Sequence, residues 1–184
     1  MGRNATEGFT LVELLVTIAI LGILLTIGLP SFQDSIRSNR MATASNELIA
    51  AIAMARTEAV RTTRGGGVCA ANAAGNACVD TTTWGPNGML VWTDTDANRG
   101  YQAGDPIVRR IEGKSDIAIN VPVNGAGAQA YQIVFNGMGM VAGPSGSSRT
   151  MTLIPSNCPT GRDLKRTLTM TSVGQVTLGK ENCT

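Results

Sequence analysis

Between Phe9 and Leu29 the chain reads FTLVELLVTIAILGILLTIGL, in which fifteen of 21 positions are apolar and Glu13 is the only charge. As a helix rising ~1.5 Å per residue, this run would be about 31 Å long, enough to cross a bilayer's hydrocarbon core. A run of this kind is stable only when lipid or other apolar helices cover it. It also explains a mean hydropathy of +0.09 for the whole chain. The run sums to about +51 on the hydropathy scale, and the remaining residues average about −0.2, ordinary for a soluble body. A secretory signal peptide would have a core of only ~7–15 residues and a small-residue cleavage site. Here the run is longer, and Leu29-Pro30-Ser31-Phe32 makes a poor site of that kind. A plain membrane anchor accounts for the length but not for Glu13. A carboxylate in a spanning segment costs a few kcal/mol and usually has a partner.

The order of residues at the start of the run is more informative. A polar leader, MGRNATEG, ends in Gly8, and Phe9-Thr10-Leu11-Val12-Glu13-Leu14 follows. This resembles the type IV pilin N-terminus. The resemblance implies that a prepilin peptidase cuts between Gly8 and Phe9 and N-methylates Phe9. It makes Glu13 the glutamate at the fifth mature position, and Pro30 falls where many pilins carry a helix-breaking proline. The implied role of Glu13 is to neutralise the N-terminal amine of a neighbouring subunit in the filament core, because a buried charge needs such a partner.

Beyond Pro30, apolar or small residues recur at Met41, Ala44, Leu48, Ile52, Ala55 and Ala59, in steps of three and four. That spacing predicts one buried helical face, with Arg40, Asn46, Glu47, Arg56, Thr57 and Arg61 off it. Gly65-Gly66-Gly67 is expected to end this helix. The expected segments are a leader over 1–8, a filament-core or transmembrane helix over 9–29, an amphipathic helix over 30–64 and a β-rich head over 65–184. Strands are expected at 89–92, 107–108, 117–119, 131–135, 150–154, 167–170 and 176–178, punctuated by Asn87-Gly88, Asn136-Gly137 and Gly174-Gln175. One helix followed by many strands argues an α+β fold with an antiparallel sheet. That matches the type IV pilin fold, which the N-terminal resemblance implies.

The cysteines are Cys69, Cys78, Cys158 and Cys183, and none forms a CxxC pair. Because the body is expected to be exported, an even count suggests two disulfides. Nearest neighbours would join Cys69 to Cys78 and Cys158 to Cys183, one of three connectivities that four cysteines allow. The second loop resembles the disulfide-bounded C-terminal region of pilins.

Two further stretches narrow the family. The helix ends in ELIAAIAMARTEAVRT, and the body contains Gly85-Pro86-Asn87-Gly88-Met89-Leu90-Val91-Trp92-Thr93-Asp94, then Asp105-Pro106-Ile107-Val108-Arg109. These resemble the FimT/FimU minor pilins, which share a domain with the GspH minor pseudopilins of type II secretion. The implied function is that of a minor pilin that primes or builds a type IV pilus; the alternative is a pseudopilin serving protein export. The implied partners are major and minor pilins, prepilin peptidase, the pilus assembly platform and, before assembly, the inner membrane. The head would be periplasmic and the assembled filament extracellular, as in a Gram-negative bacterium.

FimT proteins that act as DNA receptors in natural transformation carry Gly-Arg-x-Arg near the C-terminus. Gly161-Arg162 matches, but Leu164 stands where the second arginine would fall, with Lys165 and Arg166 just after it. Arg149, Arg162, Lys165, Arg166 and Lys180 therefore form a candidate surface for the phosphates of double-stranded DNA. Aromatic residues are only 4% of the chain, which argues against base stacking, and the net charge of +2 is no supercharged patch. Asp94, Asp96, Asn98 and Asp105 partly match a calcium loop, but Gly100 comes one position late. The favoured reading of that stretch is a β-turn with no metal, because Asp, Asn and Gly make turns. With no histidine in the chain, Ser-His-Asp and Cys-His catalysis and His-ligated metal sites are excluded. No cofactor or enzymatic activity is expected.

Overall fold

A computed structural model describes residues 9–125, 128–143 and 148–184, except for the side chains of residues 27, 30, 31, 128 and 129. The leader and part of the glycine- and serine-rich stretch after Ala142 lie outside the described residues. The chain divides into two compact units, 1–38 and 39–184.

Among the described residues one α-helix forms, α1 (Leu11–Thr62). Its start is capped locally: the Glu13 backbone N–H donates to Thr10 Oγ1 at 3.2 Å, in a Thr-x-x-Glu arrangement that supports a first turn. The helix continues through Pro30, a residue that has no N–H for the carbonyl four residues back. In the first unit the described apolar side chains are all exposed, Phe9 by 85% and Leu11 by 74%.

The second unit holds the core. Met41, Ala44, Leu48, Ile52, Ala55 and Ala59 are all fully buried, as their spacing predicts, and Ser45 and Ala51 join them. Each large side chain in this row contributes roughly 1.5–3 kcal/mol by leaving water. The row packs against two antiparallel sheets. The first contains β1 (Gly65–Ala71), β2 (Cys78–Val79), β3 (Met89–Thr93), β4 (Ile107–Ile111) and β6 (Ile133–Asn136), in the order β2-β1-β3-β4 with β6 also on β1. The second contains β5 (Ile117–Asn120), β7 (Arg149–Pro155), β8 (Lys165–Met170) and β9 (Val176–Glu181), in the order β5-β7-β8-β9.

The glycine run is not a helix stop. The helix ends at Thr62, and the reversal falls on Thr63, at φ 58°. Gly65, Gly66 and Gly67 open β1, which is buried along its whole length. Two of them permit close approach on opposite faces. A Cβ on Gly66 would sit 3.3 Å from the Ala55 carbonyl oxygen of α1, and one on Gly67 would sit 2.7 Å from the Ile133 carbonyl oxygen and 2.9 Å from the Trp92 ring. The helix thus seats directly on the backbone of β1, which is why its contact row is rich in alanine. On the far face Trp92 packs with Cys69, Ala71, Leu90 and Val134 in a second cluster.

Both disulfides take the nearest-neighbour pairing, with Cα separations of 5.6 Å for Cys69–Cys78 and 5.5 Å for Cys158–Cys183. The second closes the end of the chain onto the 158–164 loop, where Cys183 exchanges backbone hydrogen bonds with Gly161 and Arg162. Replacing Cys158 and Cys183 together by serine is expected to cost about 3 kcal/mol through restored unfolded-state entropy. Urea unfolding of the full chain reads this directly, and an unchanged midpoint would refute it.

Candidate assembly and binding surfaces

Glu13 lies on the exposed first unit as the only charge among its apolar neighbours. Phe9 precedes the helix, whereas Gly8 lies outside the described residues. Among the described residues no helix is long and apolar enough to cross a membrane.

The basic C-terminal segment does not form one cationic face. Arg149 is only 4% exposed, and its guanidinium donates to the backbone carbonyls of Ala130 and Gln132. Burial lowers its pKa to about 10, so it stays charged at neutral pH. Arg166 is 2% exposed and donates to the Asp163 and Lys165 carbonyls. Burial pulls its pKa down, against the opposing pull of the Asp163 carboxylate. Both arginines brace loops from inside and are closed to phosphate, which corrects their place in the candidate surface. Leu164, at the position of the family's second arginine, is buried as well.

Lys165 is half-buried and pairs with Glu181 at 2.6 Å. The Lys165 ammonium, then the Thr167 hydroxyl, hold the Glu181 carboxyl below its usual range. That pairing is fully present above the ordinary carboxylate pKa of about 4.3 and is lost as pH falls through the lower folded value. Arg162 and Lys180 are the cations of the segment that remain exposed. Gly161, at φ 80°, supplies the left-handed turn before Arg162.

The aspartate-rich loop spends its carboxylates on its own backbone. Asp94 accepts from the N–H groups of Asp96, Ala97 and Arg99. Asp105 accepts from the Thr95 N–H and hydroxyl and from the Gln102 N–H. Asp96 accepts from Asn98 and Gln102. These are Asx-type turns. Among the described residues no three His, Cys, Asp or Glu side chains gather to hold a metal ion.

The sequence reading missed what lies beside the helix. Sheet edges overhang it on both sides. Next to β4 is a small cleft of about 290 Å³ with mixed charge, lined in part by Glu47, Met54 and Arg109. Next to β9 is an apolar groove of about 680 Å³, lined in part by Ile49, Ala53, Val60 and Val176, with Arg56 and Arg61 on its rim. A sign of the groove was present in the sequence: Ile49, Ala53 and Val60 are apolar residues outside the main contact row.

Comparison with known proteins adds three findings. Residues 44–174 match the family model described as type II transport protein GspH, and residues 3–29 match the prokaryotic N-terminal methylation motif. The type IV major alpha-pilin of Moraxella bovis is 51% identical over 47 residues, covering 26% of this chain and 30% of that protein. Fimbrial protein EcpC of Eikenella corrodens is 46% identical over 46 residues, covering 25% of this chain and 30% of that protein. The chain thus spans 30% of the length of these curated relatives. The crystal structure of the Pseudomonas aeruginosa type IV minor pilin FimU shares the fold, with a TM-score of 0.52 at 19% identity, covering 77% of this chain and 89% of that one. A second crystal form of FimU gives a TM-score of 0.50, also at 19% identity, over 75% of this chain and 91% of that one.

Proposed function

The chain belongs to the GspH family and is a type IV pilin-like protein of the FimT/FimU/GspH type, and from that premise we propose that it is a minor subunit that primes or builds a type IV pilus. The observation that carries the reading is the apolar 9–29 segment, whose single charge is Glu13 and whose described apolar side chains are exposed. Prepilin peptidase cuts after Gly8 and methylates Phe9. The 9–29 segment then holds the chain in the inner membrane, with the head in the periplasm, until the assembly platform moves it into a filament of major and minor pilins. The family and fold are those of structural subunits, and the work is done by packing. Deleting the gene and counting surface pili tests this. Normal piliation with impaired protein secretion would favour the pseudopilin reading.

A second activity, non-specific contact with double-stranded DNA during natural transformation, now rests on Arg162 and Lys180. Both are exposed near the disulfide-closed C-terminus. Removing one cation that touches a phosphate lowers the salt slope of binding by about one. The Arg162→Ala/Lys180→Ala variant is therefore expected to bind DNA more weakly at every sequence, with a slope shallower by about two. Equal retardation of both proteins in a gel-shift titration removes this reading.

A further inference from the structure

The second sheet ends in a strand that no described residue pairs on its outer side. β9 lies at the end of the order β5-β7-β8-β9. Its register places Val176, Leu178 and Lys180 opposite Met170, Leu168 and Arg166, which are buried on the inner face. Those three β9 residues therefore face the same side as the core, where Val176 packs at its margin and Leu178 and Lys180 stay exposed. Val176 is half-buried and lines the groove of about 680 Å³ beside the helix, while Leu178, farther along the strand, is 44% exposed.

A free strand edge beside an empty apolar groove is what strand addition uses. The edge supplies main-chain hydrogen bonds, and the groove takes every second side chain. Two further observations favour this site. The end of β9 is held in place by the Cys158–Cys183 disulfide two residues beyond it, so a partner strand meets an ordered template and loses less entropy on docking. The charges around the groove are also one-sided. Arg61 is neutralised by Glu58 at 2.7 Å, but the side chains of Arg56, in the groove, and of Lys180, farther along β9, make no hydrogen bond or ion pair among the described residues. The edge strand β4 of the first sheet borders only the smaller cleft of mixed charge.

We propose that β9 and the groove beside it accept an extended segment of another filament subunit. Its alternate apolar side chains lie over Val176 and Leu178, and its acidic residues meet Lys180 and Arg56. This rests on the filament-subunit reading.

The test uses the full chain in piliated cells, with photoreactive p-benzoylphenylalanine at exposed Leu178 and mass spectrometry of the adduct. The expected product joins Leu178 to an extended, apolar and acidic segment of another subunit. Combined Arg56→Glu and Lys180→Glu substitutions are expected to lower its yield about tenfold through like-charge repulsion, without lowering the Tm of the purified chain. An adduct to a helical segment, to lipid or to β9 of a second copy, an adduct unaffected by charge reversal, or no adduct at all would overturn the proposal. Filament incorporation is scored separately by immunogold labelling. Absence from pili therefore refutes the filament reading, and the adduct alone decides the groove.

Discussion

Gly67→Val is expected to destabilise the head by about 3 kcal/mol or more, lowering its Tm by roughly 10 °C. The reason is geometric. Gly67 sits in β1 between β3 and β6, paired with Trp92 on one side and Val134 on the other. The Trp92 indole lies across its α-carbon, and even a single Cβ would come within 2.7 Å of the Ile133 carbonyl oxygen. Trp92 is fully buried and packed on Tyr101, with ring centroids 5.8 Å apart, so it has no vacant direction in which to yield. Gly28→Ala is the matched control. Nothing lies within 4 Å of its added Cβ, and α1 is already formed there, so the head's melt should not move. Calorimetry on both variants checks the pair. A Gly67→Val melt within about 1 °C of the parent would mean that the indole relaxes freely, contrary to the density of such cores.

Loss of the Glu13 charge is expected to reduce incorporation into filaments about 100-fold while leaving leader cleavage intact, because a buried charge stripped of its partner costs about 3 kcal/mol. Two substitutions separate charge from helix capping. Glu13 occupies the third position of the turn that Thr10 caps, and glutamine serves in a capping box as glutamate does. Glu13→Gln therefore removes the charge but keeps a polar side chain able to complete a capping box, whereas Glu13→Ala removes both and keeps only the Thr10 cap on its backbone N–H. If the carboxylate neutralises a neighbour's amine, the two variants fail alike. If its role is only local, Glu13→Gln assembles normally. Immunoblots of sheared pili measure incorporation, and the size shift of the membrane-bound chain measures cleavage.

The contact row of α1 was legible because each member is apolar or small, three or four residues from the last. β8 was legible because Thr167-Leu168-Thr169-Met170 alternates strictly. That alternation held more than was taken from it. Arg166 is in phase with Leu168 and Met170, and Arg149 is in phase with Met151 and Leu153, so the strand period already assigned both arginines to the buried face. Counting charge along the segment hid this. β1 was illegible for a different reason. A strand covered on both faces has no polar side to alternate with, and its glycines resemble punctuation. The β9 groove depends on how far a sheet extends past a helix, a tertiary quantity with no period in the sequence.

The seat of α1 on β1 also bears on how the chain carries tension. β1 follows the helix after a single short turn and is hydrogen-bonded along both flanks, to β3 and to β6. A pull that reaches the last turn of α1 passes into β1 across Thr63 and Arg64 alone. To free β1 it must break the ladders on both flanks, so the strand cannot be peeled from one neighbour only. The glycines that bring helix and strand so close thereby leave little slack between the rod that is pulled and the sheet that resists.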